Sequence, residues 1–281
     1  MCGRYHITRP IEAVAEVFDA LIPDEVRQKL AAGEGGAGSG SGAVSTFPID
    51  ASLAAAGPRY NVAPTQMVPI IRLETEGPQR GRRILDFAQW GLVPSWARDL
   101  SRAANAINAR SETVAEKPSF RAAFRHRRCL MPTSGFYEWQ TLKPGTSRAL
   151  KQPHRIYFRD ERLMVMAGLF EVRQGPDGSA LESCAMLTTS ASPSMAGLHH
   201  RMPVVLDSED EWDAWLSPGA EPDLLHSLCR PYENPDFVHY PVDRAVGHVR
   251  NQGPGLLHGI DGAAAPSLQE PAAKPSQGSL F

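Results

Sequence analysis

Residues 154–171 read HRIYFRDERLMVMAGLFE. Two β-rich runs, 154–159 and 163–171, flank the charged Asp160-Glu161-Arg162 segment, which has the composition of a turn. Each run is too short for an ordinary helix and long enough to cross a sheet. Similar runs lie at 68–73, 84–90, 129–134, 184–190 and 202–206, separated by Gly, Pro and Asp turns. A parallel sheet would alternate its strands regularly with helices, and that alternation is missing. Helical periodicity appears over 10–21, where Val14, Val17, Phe18 and Leu21 share a face, and over 118–126, 209–217 and 221–229. The pattern predicts an α+β domain built on antiparallel strands.

The chain has 281 residues, 42% of them hydrophobic and 21% charged, so it can bury a core without metal or disulfide support. The Gly/Ser-rich stretch 33–46 is read as a surface loop within one domain spanning 1–260, because too few residues precede it to form a core of their own. The Ala/Pro/Ser-rich tail 261–281 is expected to be disordered. Cys2, Cys129, Cys184 and Cys229 form no C-x-x-C pair, so neither a metal site nor a disulfide framework is expected. Cys129 and Cys184 read as buried small hydrophobes in a reducing compartment. The start MCGRYH has no secretion-signal pattern, and no apolar run approaches the ~18 residues of a membrane span. A soluble cytoplasmic protein, needing no membrane and no cofactor, is expected.

The net charge of -2 conceals an uneven distribution. Between 98 and 128, eight Arg and Lys residues face three acids; between 207 and 236, nine acids face Arg230 alone. The first segment offers a local electropositive surface, and the second reads as a solvated helical face. The overall charge therefore does not exclude nucleic acid as a partner.

Several short segments carry residues suited to chemistry. Removal of Met1 would leave Cys2 with an α-amine and a thiol on adjacent carbons. Such a pair condenses with an aldehyde, first as an imine and then as a five-membered thiazolidine. Pro64 fixes an extended backbone after Arg59-Tyr60-Asn61, aiming the Asn61 amide. Asn108 and Arg110 set a carboxamide and a guanidinium in the basic segment. Glu138 lies between Tyr137 and Trp139, where partial desolvation suits a carboxylate to proton transfer. His199 and His200 add imidazoles ahead of an apolar strand. Each also has a structural reading: a turn Asn, an ion-paired Arg or Glu, a surface His, a core Trp.

Taken together, MCGRY, RYNVAP (59–64), WGLVPSW (90–96), INARSET (107–113), CLMPTSGFYEW (129–139), MAGLFE (166–171), LTTSA (187–191), LHHRMPVVL (198–206) and PVDRAVGHVRNQG (241–253) resemble the SRAP family, the SOS-response-associated peptidase proteins. The resemblance runs from Cys2 to about His258. It implies a mixed, barrel-like fold, a positively charged DNA groove, and a thiazolidine between Cys2 and the ring-opened sugar of an abasic site in single-stranded DNA. It implies Cys2 as nucleophile, Asn61 orienting the α-amine, and Glu138 moving protons. His199 is the family histidine by its Leu-His-x-Arg spacing. Arg4, Asn108 and Arg110 are implied as phosphate contacts, Trp90, Pro94, Trp96 and Trp139 as stacking surfaces, and Thr189 and Ser190 as further phosphate donors. Association with the nucleoid when DNA-bound follows, and one site per chain requires only a monomer.

Three departures accompany the resemblance: the 33–46 loop, His200 where many members carry an acid, and the end Gln277-Gly278-Ser279-Leu280-Phe281. That end is similar to peptides that dock on the bacterial sliding clamp, with Gln277, Leu280 and Phe281 as the partner-binding residues. Two other functional classes stay open from residues alone. One is an N-terminal-nucleophile cysteine peptidase or amidase; the other is a noncovalent single-strand-binding module.

Overall fold

The computed structural model describes residues 2–34, 57–97, 106–142, 150–174 and 180–260. Its strands are β1 (Tyr5–Ile7), β2 (Arg59–Val62), β3 (Met67–Leu73), β4 (Arg83–Trp90), β5 (Asn108–Arg110), β6 (Arg128–Thr133), β7 (Gly135–Leu142), β8 (Leu150–Phe158), β9 (Met164–Gln174), β10 (Ala180–Ser190), β11 (Arg201–Pro203) and β12 (Phe237–Pro241). Its α-helices are α1 (Ile11–Val17), α2 (Asp24–Glu34), α3 (Arg121–His126), α4 (Glu209–Leu216) and α5 (Pro222–Leu228).

Five strands close into a ring. β3 pairs antiparallel with β4 and β6, β6 with β9, and β9 with β10, while β10 meets β4 in parallel at Cys184↔Trp90. Closure removes exposed strand edges. The barrel strands contribute fully buried Ile70, Ile71, Leu85, Leu130, Leu169 and Met186 to the main core. β5 and β11 add to β10, bringing Asn108 opposite Met186 and Arg201 opposite Ser190.

The other five strands form an antiparallel sheet in the order β12-β8-β7-β1-β2. On one face Phe136, Ile156, Phe158 and Phe237 join the main core. On the other, Tyr137, Tyr157 and Tyr240 pack with Val242, Val246 and Leu256 of the C-terminal segment. The chain moves from barrel to sheet at Gly135, whose φ is 151°. A Cβ there would lie 2.5 Å from the Ile156 carbonyl and 2.6 Å from His6 Nε2, so only glycine fits this corner. The quoted 154–171 stretch makes the return journey: β8 belongs to the sheet and β9 to the barrel. The mixed, mainly antiparallel α+β fold flanked by helices is as the sequence predicts.

The structure also alters several expectations. Helix α1 ends at Val17 because Asp19 adopts φ 45°, leaving Val17 exposed while Val14 and Phe18 are fully buried. Helix α2 lies outside the helical periodicity of the sequence, and it carries residues 33 and 34 of the Gly/Ser-rich stretch predicted as loop. The rest of that loop, and the tail with Gln277, Leu280 and Phe281, lie outside the described residues. The run 202–206 continues as strand only to Pro203. The acidic segment is not simply solvated: Arg83 pairs with Glu209 and Asp213, Arg162 with Asp207 and Asp236, and Arg230 with Glu211. Arg128 of the basic segment is buried rather than displayed. Its guanidinium donates to the carbonyls of Phe124, Arg125, Trp215 and Ser217, at the C-terminal ends of α3 and α4, where the helix dipoles favour a cation.

Candidate functional site around Cys2

β1 runs between β2 and β7, and this pairing carries Cys2 into the seam between sheet and barrel, where it is 1% exposed. Its thiol lies 3.9 Å from the Arg4 carbonyl. Burial, and then the negative charge of Glu138, push the Cys2 thiol up, so it is neutral at physiological pH.

Three elements converge on this residue. From β5, Asn108 Nδ2 donates to the Cys2 carbonyl at 2.8 Å. Its Oδ1 is buried without a hydrogen-bond partner, an acceptor within one carboxamide's width of the Cys2 main chain. From β7, Glu138 is buried, with one carboxylate oxygen 3.3 Å from the Trp139 N–H and the other 3.7 Å from His199 Nδ1. Ahead of β11, His199 Nδ1 lies 3.0 Å from the Arg201 main-chain nitrogen and 3.2 Å from the Arg201 carbonyl, so it accepts from the first or donates to the second according to its tautomer. Burial lowers the His199 pKa against the opposing charge of Glu138, and the neighbouring His200 also lowers it. The His200 ring stands 4.2 Å from the His199 ring, tilted by 30°. Arg201 anchors this loop with two bonds to Glu112 and one to the Thr188 carbonyl.

Cys2, Glu138 and His199 are therefore brought together as the sequence implies, and Asn108 joins them directly. Asn61 faces another way. Its Nδ2 lies 3.0–3.2 Å from the carbonyls of Val246, His248 and Asn251, and its Oδ1 accepts from Arg4 at 2.7 Å. None of these bonds reaches Cys2, so Asn61 fastens the C-terminal segment to β1 and β2. Arg4, expected on phosphate, is half-buried with Nη1 committed to Asn61 and Val246, and its guanidinium carbon lies 5.9 Å from the Trp139 ring centre.

Trp90 is a correction. It is fully buried against Tyr5, its indole N–H bonds the Ile107 carbonyl, and it offers no surface to a base. Pro94 is likewise buried, whereas Trp96 is 64% exposed and Trp139 half-buried. Arg110 and Ser190 are exposed; Thr189 is 4% exposed within the β10–β11 pair and so is poorly placed to contact phosphate in this conformation. The contact between Asn108 and Cys2, and the anchor of Arg201 on Glu112, are not legible in the sequence because they join residues 106 and 89 positions apart. The INAR and HRM motifs contained the residues but not their partners. Among the described residues no cluster of His, Cys, Asp and Glu could hold a metal ion, and no helix is long and apolar enough to cross a membrane.

Comparison with known proteins gives consistent matches. Residues 1–249 match the family described as SOS response associated peptidase (SRAP). The abasic site processing protein YoqW of Bacillus subtilis is 39% identical over 201 residues, covering 71% of this chain and 85% of its own. The abasic site processing protein HMCES of Rattus norvegicus is 33% identical over 236 residues, covering 73% of this chain and 65% of its own. A crystal structure of a protein from Bacteroides thetaiotaomicron shares the fold with a TM-score of 0.69 at 22% identity, covering 92% of this chain and 99% of that one.

Proposed function

This chain belongs to the SRAP family, and on that premise we propose that it captures abasic sites in single-stranded DNA by a covalent bond to Cys2. The observation that carries the reading is the convergence of a buried carboxylate, an imidazole and a carboxamide on Cys2. Relatives named as abasic site processing proteins support the substrate class.

The chemistry follows from the groups present. Loss of Met1 frees the Cys2 α-amine, and Asn108 holds that residue through its carbonyl with Oδ1 available to accept an amine N–H. The sugar of an abasic site opens to an aldehyde as its bond from the anomeric carbon to the ring oxygen breaks: the anomeric hydroxyl loses a proton and the ring oxygen gains one, a transfer relayed by Glu138 and His199, which stand 3.7 Å apart. The amine adds to the aldehyde carbon and water leaves, giving an imine. The thiol then adds across the C=N bond: sulfur bonds to carbon, and the thiol proton passes by way of Glu138 to nitrogen. The sum is aldehyde plus aminothiol giving thiazolidine plus water, with no change of oxidation state. This order suits a thiol that is buried beside Asn108 and Glu138, since the amine makes the first addition and the thiol closes the ring on the carbon already held.

The same environment disfavours a peptidase acting on external substrates, which needs its thiol pKa lowered by nearby positive charge. Burial and Glu138 act in the opposite sense. Noncovalent single-strand binding gives no account of the constellation of buried Cys2 and Glu138 with half-buried His199.

The test is one gel. Protein mixed with single-stranded DNA carrying one abasic site is expected to give an SDS-resistant shifted band, absent with Cys2→Ala. No such band from protein shown by mass spectrometry to lack Met1 would overturn the proposal.

A further inference from the structure

Of the segments that carry the family resemblance, 241–253 takes no part in the chemistry above. After β12 the chain leaves the sheet, passes through a 3-10 turn at Arg244–Gly247, and returns through a second at Pro254–Leu257. This strap covers the tyrosine face of the sheet with Val242, Val246 and Leu256. It is fastened along its length. Arg4 and Asn61 hold the Val246 carbonyl, and Asn61 also reaches those of His248 and Asn251. The Gln252 side chain exchanges two hydrogen bonds with the main chain of Tyr60 and Asn61, at 3.1 and 3.0 Å. An exposed loop of this composition would ordinarily wander; this one has its path set by bonds to the strands that flank Cys2.

With the strap's carbonyls turned inward, Arg244, His248 and Arg250 are left on the outer surface, all exposed. Its one acid, Asp243, has a carboxylate oxygen engaged with the Ala245 N–H at 2.7 Å. Among the described residues, neither Arg244 nor Arg250 has an ion-pair partner. Arg72, Arg83, Arg127, Arg162, Arg201 and Arg230 each have at least one. The strap therefore presents guanidinium charge that the protein does not neutralise.

Position gives that charge a use. The strap bonds Arg4, two residues from Cys2, and lies on the sheet face turned away from the barrel. Exposed Arg110 follows Asn108, which grips Cys2 from the barrel side. We propose that the strap is a second phosphate-contact arm, with Arg244 and Arg250 binding the backbone of the single-stranded DNA on the side of Cys2 away from Arg110. Guanidinium groups suit phosphate by charge and by their fork of donors. Contacts to phosphate carry no sequence information, which agrees with a target defined by a missing base. The inference rests on the proposed function and adds a surface to it.

The test is the salt dependence of binding to an intact single-stranded oligonucleotide, measured by fluorescence anisotropy for the wild type and for an Arg244→Ala/Arg250→Ala double variant. Each phosphate contact to a single strand contributes about 0.7 to the slope of log K against log salt, so the double variant should lose about 1.4. Arg244→Lys/Arg250→Lys should keep most of the slope. At saturating abasic DNA the double alanine variant should still form the covalent band. A slope equal to wild type would overturn the strap as a contact while leaving the crosslink reading intact. Failure of the wild type to bind or crosslink at all would overturn both.

Discussion

The barrel and the five-stranded sheet are built from the same number of strands and differ in what they bury. The barrel strands bury mainly Ile, Leu, Val, Met, Ala and Cys, and their buried polar residues are Arg128 and Glu171 and the small hydroxyls of Thr133, Ser183, Thr188 and Thr189. The sheet buries His6, Asn61, Glu138, Gln152, His154 and Arg155 among its aromatics. Each of these polar groups costs free energy unless it finds a partner. Most partners come from far along the chain: Arg155 bonds His6 and Tyr240, Gln152 bonds the Val242 carbonyl, and Asn61 bonds the strap. The barrel is held mostly by shape and apolar burial. The sheet also depends on a network of directed bonds, and Cys2, Glu138 and His199 meet at its inner strands β1 and β7.

This division predicts that damage to the two halves will look different. Glu138→Gln changes little volume and should cost stability no more than about 1–2 kcal/mol, since it neutralises a buried carboxylate without opening a cavity. It should slow crosslinking by about 100-fold or more, the usual contribution of a positioned acid or base. Single-turnover rates on abasic single-stranded DNA check this, and a rate within a few-fold of wild type would remove Glu138 from the chemistry. Ile71→Ala in the barrel should do the reverse. Its side chain is fully buried where β3 meets Leu85 and Leu130, and truncation should cost about 2–5 kcal/mol in urea unfolding. Well below its lowered Tm, that variant should crosslink at close to the wild-type rate. Slow chemistry at full folding would show that the barrel shapes the site beyond supporting it.

The smallest effect concerns pH. His6, His154 and His239 all lie on sheet strands, and burial is the leading reason that each is harder to protonate than a free imidazole. His154 is pushed down to about 4, and its Nδ1 is buried without a hydrogen-bond partner. The unfolded chain, with a histidine pKa near ~6.5, then binds protons more readily than the folded one. The stability contributed is complete above about pH 6.5 and is lost as pH falls through about 4. Urea midpoints should decline over that interval, and His154→Gln should lessen the decline. An unchanged difference between pH 7 and pH 4.5 would show that His154 is not a source of acid lability.

The same contrast governs what could be read in advance. All five barrel strands coincide with runs picked out by apolar and β-branched composition. Of the sheet strands only β8 was picked out; β1, β2, β7 and β12 were not. MCGRYHI, RYNV and GFYEW were legible as chemistry for the reason that they were illegible as strands. Polar residues interrupt the hydrophobic period that reveals a strand, and they are tolerated because distant segments satisfy them. Trp90 shows the opposite error. An aromatic in a motif reads as a stacking surface, but only the fold could reveal it packed against Tyr5 with its N–H bonded to Ile107.

By itself the sequence determined the strand-rich α+β class, the family resemblance, and the residue types of the site, because these depend on local composition and short spacing. The tertiary structure decided which asparagine touches Cys2. Asn61 and Asn108 are alike as side chains in short polar motifs. One became a fastening for the strap and the other a grip on the nucleophile because β2 lies at the sheet's edge and β5 on the barrel's flank. A hydrogen bond acts over about 3 Å, and a linear pattern does not specify which residues from distant segments will come that close.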